Sequence, residues 1–166
     1  MTDLLSRLED GLDRQLILYR QLLDLFLIER DAIMASDLEA LNRVVMDKET
    51  LLQTIRREEL CRVEVGEALA AQLGMAPEEL NISRICAKVN EACASTIKRK
   101  RGKLQALLDE IQIESGRNRS LCLQALQFVS GSIKMLTNLT RPNQVYHATG
   151  RVHNEGQIGR MLSGAV

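Results

Sequence analysis

The chain has 166 residues, enough for one domain with a substantial core and too few for two ordinary domains joined by a linker. Lysine plus arginine and aspartate plus glutamate both number 22, giving a net charge of +0, and the missing positive field argues against nucleic-acid or anionic-membrane binding driven by global charge. Hydrophobic residues make up 45% of the sequence but aromatics only 2%, so the apolar mass is leucine, isoleucine, valine and alanine, a mix that favours helices packed on helices over a sheet.

Thr2 or Asp3 can cap a first helix whose apolar residues Leu5, Leu8, Leu12, Leu16, Tyr19, Leu23 and Phe26 recur at steps of three and four, the spacing of one helical face. It is expected to run to Ile33 or Met34. Ser36 and Glu39 then stand at capping-box spacing and predict a second helix directly after a tight turn near Ala35. That helix carries Leu38, Leu41, Val45, Leu52 and Ile55, with Lys48 on the same stripe, and continues through Ala68 and Leu69 to Leu73. Gly74 suits the position just past its end. Pro77 fits the first position of a short helical turn, and Asn81 or Ser83 can cap the next start.

From Ser83 to about Thr140 the pattern predicts one short and one long helix, or a single kinked one. The stripe Ile97, Arg101, Leu104, Leu108, Ile111, Ser115, Asn118, Cys122, Ala125, Val129, Ile133 and Leu136 keeps helical steps throughout, which predicts sustained packing against a neighbour. Arg141 and Pro142 end the helix. Residues 141–166, rich in Gly, Asn, Gln and His, are expected to form a flexible tail after a helical bundle over 1–140. Helices of about 31, 36 and 44 residues would measure roughly 45, 55 and 65 Å. The expected fold is therefore all-α, an elongated antiparallel bundle of three long helices with a short helix after the second.

The start of the chain lacks the basic opening and bare apolar run of a secretory signal, which makes the cytoplasm the expected location. The longest uncharged run, Ser120 to Ile133, is too short to span a bilayer, so no membrane insertion is expected. Cys61, Cys86, Cys93 and Cys122 form no metal-ligand or redox pair and are expected to be reduced and mostly packed. His147 and His153 both fall in the tail, no Glu-x-x-His occurs, and no Gly-rich phosphate loop is present. Enzymatic chemistry, a metal site and a cofactor are therefore not expected. Lys98, Arg99, Lys100, Arg101 and Lys103 form a basic run, but successive helical residues point about 100° apart and no aromatic is interleaved for base stacking, so a solvated face is favoured.

Surplus apolar surface is the informative anomaly. Leu16, Ile17, Leu18, Tyr19, Leu22, Leu23, Leu25, Phe26, Leu27 and Ile28 cover more than one face of the first helix. A second stripe of Leu121, Phe128, Met135 and Leu139 lies beside the packing stripe of the last helix, with Gln124, Gly131 and Ser132 between. A buried bundle middle, a homodimer seam and a groove for a partner's amphipathic helix are all compatible with these residues.

In order and spacing the chain resembles the FlgN-type flagellar export chaperones. The carrying residues are Leu25 to Ala32 (LFLIERDA), Asp37 to Leu41 (DLEAL), Lys48 to Leu52 (KETLL), Gly74 with its loop, Asn118 to Leu121 (NRSL), and Tyr146 followed by Gly150. The resemblance implies a non-enzymatic cytosolic chaperone of the type III export system. Such a protein holds the C-terminal helical segments of hook-filament junction proteins, also called hook-associated proteins, prevents premature assembly and delivers them to the export apparatus. It further implies a monomer or at most a weak homodimer; a coiled-coil scaffold with the Leu121 stripe in a dimer seam is the competing reading. Asn118 and Leu121 match the family pattern and are expected to contact the client; the helical face adds Ala125, Phe128, Met135 and Leu139. Tyr146, the tail's one aromatic, is the expected docking residue for the export gate, with an inert tail as the competing reading, and Ile158, Met161 and Leu162 could form one apolar helical turn.

Overall fold

The structure, a computed structural model, describes residues 2–75 and 82–139. These contain four helices and no strand: α1 (Thr2–Ala35), α2 (Leu38–Leu73), α3 (Ile82–Lys88) and α4 (Glu91–Leu139). The all-α expectation holds for the described residues. The turn expected at Pro77, the cap at Asn81, and the tail with His147 and His153 lie outside them.

Each junction has a local cause. At the α1 end Ser36 takes a left-handed φ of 54°, and the Ser36 and Asp37 N–H groups donate to Ile33 O (3.1 Å) and Ala32 O (3.0 Å), closing the last turn in a Schellman arrangement. Asp37, with φ −87° and ψ 94°, then caps α2, its Oδ1 accepting from Ala40 N–H at 2.9 Å. The capping role expected of Ser36 therefore belongs to Asp37. A two-residue turn needs a left-handed residue to end one helix and an extended one to start the next, and Ser36 holds the first position. Gly74 ends α2 as expected, with φ 65° and N–H donation from Gly74 and Met75 to Ala71 O and Ala70 O. Beyond it, the Ser83–Thr140 pattern resolves as one short and one long helix. The long one starts at Asn90, whose Oδ1 accepts from Cys93 N–H at 2.8 Å.

The chain divides into two compact units, Met1–Cys122 and Leu123–Val166, and α4 contributes to both. Within the first unit the side-chain pairings give the direction of every long helix. Arg14 meets Glu58 at 2.7 Å while Glu29 meets Lys48, so α2 runs antiparallel to α1. Glu9 and Asp13 meet Lys100 while Glu29 meets Asn118, so α4 runs parallel to α1 and antiparallel to α2.

The core at one end of this unit draws on all four helices: Leu8 and Leu12 of α1, Val65 and Leu69 of α2, Ile85 and Cys86 of α3, Ala94 and Ile97 of α4. Leu69 and Ile97 are completely buried. Towards the α1–α2 turn the buried apolar residues are Leu22, Leu23, Ala32, Val44 and Ile55. The apolar surplus of α1 is largely absorbed here; Leu16, Leu18, Tyr19, Leu25, Phe26 and Leu27 are half-buried, and Ile17 and Ile28 stay exposed.

The basic run on α4 is split by this packing. Lys100 turns inward, donating to Asp13 Oδ2 at 2.7 Å and to Glu9 O at 3.2 Å, whereas Lys98, Arg99, Arg101 and Lys103 are exposed. The cysteines are all free thiols; Cys86 is buried and Cys93 and Cys122 half-buried, in keeping with the mostly packed thiols expected, while Cys61 is exposed.

Candidate functional site

In the first unit α4 carries a polar anchor built on Glu114 and Asn118. Asn118 is 3% exposed. Its amide Nδ2 donates to Phe26 O and to Glu29 Oε2, both at 2.8 Å, while its Oδ1 is buried without a hydrogen-bond partner. Glu29 is also the acceptor for Lys48 Nζ of α2, and that ammonium lies 4.5 Å from the Phe26 ring centroid, a cation–π distance. One turn earlier on α4, the buried Glu114 accepts from Arg30 of α1 at 3.2 Å and from Arg117 on its own helix. Two buried α4 side chains thus tie three helices together through charged partners. Hydrogen bonds to charged groups are worth about 1.5–3 kcal/mol each, and unpaired buried ends cost comparable amounts, so this cluster fixes the register of α4 against α1. The expectation that Asn118 touches a client meets a side chain already committed inside the unit.

In the second unit the described residues are Leu123 to Leu139, all helical. Leu123, Leu126, Phe128, Val129, Ile133, Met135 and Leu136 are 51% to 77% exposed, Phe128 the most. Ala125 is exposed and Leu121, at the end of the first unit, half-buried. Of the expected client residues, the structure therefore places Ala125, Phe128 and Met135 at the surface of one helix. The side chain of Leu139, and Tyr146, lie outside the described residues.

The expectation that fails is the packing of the other stripe. Ile97 and Asn118 on that stripe are buried and Leu104, Leu108, Ile111, Ser115 and Cys122 half-buried, while Arg101 and Ala125 are exposed. Its continuation Val129, Ile133 and Leu136 is more than half exposed. The signal for this was the difference in helix lengths, since α4 has 49 residues and α2 only 36.

Other apolar side chains are exposed on α2, among them Leu38, Met46 and Leu60, but charged residues such as Glu49 and Arg56 interrupt them. From Ser120 to Ile133 no charge occurs. Among the described residues there is no group of three or more His, Cys, Asp or Glu able to hold a metal ion, and no helix is long and apolar enough to cross a membrane. Two ionisable groups in the first unit are perturbed. Burial, reinforced by the hydrogen bond to Glu9 at 3.1 Å, pushes the Cys93 thiol up, and burial followed by the nearby Glu59 raises Tyr19. Both groups are thereby held neutral and neither is activated.

No curated protein and no solved structure matches the chain. The family model described as FlgN protein matches residues 1–154, nearly the whole sequence and all four helices. The chain therefore belongs to the FlgN family of flagellar export chaperones.

Proposed function

We propose that this protein is the secretion chaperone for hook-filament junction proteins, holding their C-terminal helical segments on the far part of α4 until export. The observation that carries this reading is the run Leu123 to Leu136, in which seven large apolar side chains are more than half exposed and the single charge is Lys134. Monomeric proteins rarely leave a contiguous apolar patch of this kind uncovered unless it meets a partner. Full burial of such a side chain is worth about 1.5–3 kcal/mol, and with 51% to 77% of each still exposed the face supplies roughly 6–13 kcal/mol gross, of which association and side-chain ordering consume a large part. That leaves room for binding firm enough to prevent premature self-assembly and weak enough to release.

An exported subunit's assembly helix is itself amphipathic, and a neutral apolar face is its natural cover. Leu121, Ala125, Phe128, Met135 and Leu139 form the client stripe in this reading, and Asn118 contributes by fixing the helix that presents them. Tyr146 docks the loaded chaperone at the export apparatus from a tail over 141–166, the complex being assembled in the cytoplasm. Co-purification with C-terminal fragments of hook-filament junction proteins tests the reading. The unsubstituted chain should retain a fragment and Leu121→Asp with Phe128→Asp should lose it; retention that is indifferent to both substitutions would refute the assignment of the face. A tight, concentration-independent homodimer that buries the same stripe would instead favour the coiled-coil scaffold.

A further inference from the structure

Within the first unit the apolar core is interrupted on all three long helices at once. The buried face of α1 passes from Leu8 and Leu12 through Gln15 to Leu22, and Gln15 is only 3% exposed. On α2 no residue is buried between Ile55 and Val65, and the half-buried Arg62 stands about one turn before Val65. On α4 Arg101 follows the fully buried Ile97 by about one turn, at a position where the apolar stripe calls for a core residue. Gln15, Arg62 and Arg101 meet in one cleft of about 220 Å³, which Tyr19 and Glu59 also line. A pattern broken at the same place on three packed helices is the mark of a site that packing alone does not explain.

Most polar groups of the cleft have no partner. Among the described residues the Gln15 amide and the Tyr19 hydroxyl make no hydrogen bond, and Arg101 makes no ion pair. Arg62 faces Glu59 at 3.6 Å, beyond hydrogen-bond distance. A buried amide without a partner costs stability that an apolar side chain of the same shape would not, so Gln15 is poorly suited to the place as a packing residue. Tyr19, held neutral by burial, keeps its proton to donate.

We propose that this cleft binds a small free carboxylate. Two arginines against one glutamate leave one net positive charge, which matches a carboxylate monoanion better than the higher charge of a phosphate group. The planar guanidinium of Arg101 is shaped to grip both carboxylate oxygens, and Gln15 Nε2 and the Tyr19 hydroxyl supply neutral donors. Leu12, Leu104 and Leu108 line the same cleft and offer apolar surface to a short hydrocarbon body. The volume lies below the roughly 300–1,000 Å³ of pockets for drug-sized ligands, so the ligand is an acid of a few carbons.

The test is a titration of the full chain with sodium butyrate, followed by heteronuclear NMR at the Gln15 side-chain amide and the Arg101 Nε–H, with sodium chloride at matched ionic strength as the control. Saturable shifts of both signals by butyrate alone are expected, with a Kd on the order of millimolar, the range open to a ligand of about six heavy atoms. Acetate should bind more weakly, because it leaves the leucines uncovered. Arg101→Ala, at an exposed position, should weaken butyrate about tenfold or more with unchanged circular dichroism. Gln15→Leu should weaken it too while raising the urea midpoint; a lowered midpoint would show that the amide serves the fold and would overturn the proposal. Inorganic phosphate binding as tightly as butyrate, or chloride producing the same shifts, overturns the carboxylate assignment. Acetyl-glutamate methylamide presents the same carboxylate on a peptide unit, and if it binds more tightly than butyrate the free ligand is overturned in favour of a peptide side chain. No saturable shift at Gln15 with any of these probes overturns the site itself.

Discussion

Asn118→Asp is the sharpest perturbation of the polar anchor, because it keeps the size of the side chain and exchanges two donors for an acceptor. In the structure both amide hydrogens are used, one on the Phe26 carbonyl and one on the Glu29 carboxylate, each at 2.8 Å, at a site only 3% exposed. Losing the neutral bond costs about 0.5–1.5 kcal/mol and the charge-assisted one about 1.5–3. The new carboxyl also faces the Glu29 carboxylate. It can avoid that repulsion by staying protonated, which costs about 1.4 kcal/mol for each pH unit above its unfolded pKa of about 3.9, or about 5 kcal/mol at pH 7.5 as a ceiling. Lys48 on Glu29 lowers the repulsion, and the expected net loss is roughly 3–5 kcal/mol at neutral pH.

The assay is urea unfolding followed by circular dichroism, with Asn118→Leu as the non-titrating reference. Burial and the neighbouring carboxylate raise the introduced group's folded pKa above its unfolded value. The repulsion therefore disappears as pH falls, and the stability gap between the two variants should narrow between pH 7.5 and 5. An Asn118→Asp protein within 0.5 kcal/mol of the unsubstituted chain at pH 7.5, or a gap to Asn118→Leu that ignores pH, would refute the anchor.

Ser36→Gly should stabilise the protein by about 0.5–1 kcal/mol in the same assay, since it relieves a left-handed non-glycine residue whose strain of roughly 1–2 kcal/mol exceeds the entropy that glycine adds to the unfolded chain. Leu69→Ala, at a fully buried position joining α1, α2, α3 and α4, should cost about 2–5 kcal/mol, read as a lower urea midpoint with an unchanged slope. Burial and the Glu9 hydrogen bond raise the folded pKa of Cys93, so its contribution is fully present below the ordinary thiol pKa of about 8.5 and is lost as pH rises through the folded value. Stability between pH 8 and 10.5 should accordingly fall less steeply in Cys93→Ala than in the parent, and peptide mapping after brief alkylation at pH 8 should find Cys61 modified before Cys93.

Helix type and order were legible because leucine spacing and the glycine at Gly74 act locally. The Ser36–Asp37 turn was half legible: both residues are good caps, and which of them takes the left-handed position depends on how two helices share a two-residue connection. Similarly, Asn90 looks like an ordinary helix residue until its carboxamide is seen accepting from Cys93 N–H. The stripe through Val129, Ile133 and Leu136 reads as core because periodicity reports which face is apolar and is silent about whether a neighbour reaches it. The buried role of Asn118 was hidden for a related reason. An asparagine on an apolar stripe is compatible with a partner contact or an internal anchor, and only the positions of Phe26, Glu29 and Lys48 separate the two.

The most direct measurement is hydrogen–deuterium exchange of the full chain with and without a junction-protein C-terminal fragment. Binding on the far part of α4 predicts that amides from Leu123 to Leu139 slow markedly on addition of the fragment, while those of α2 between Leu38 and Leu60 do not change. Unchanged exchange across Leu123 to Leu139, with protection appearing on α2 instead, would contradict the account.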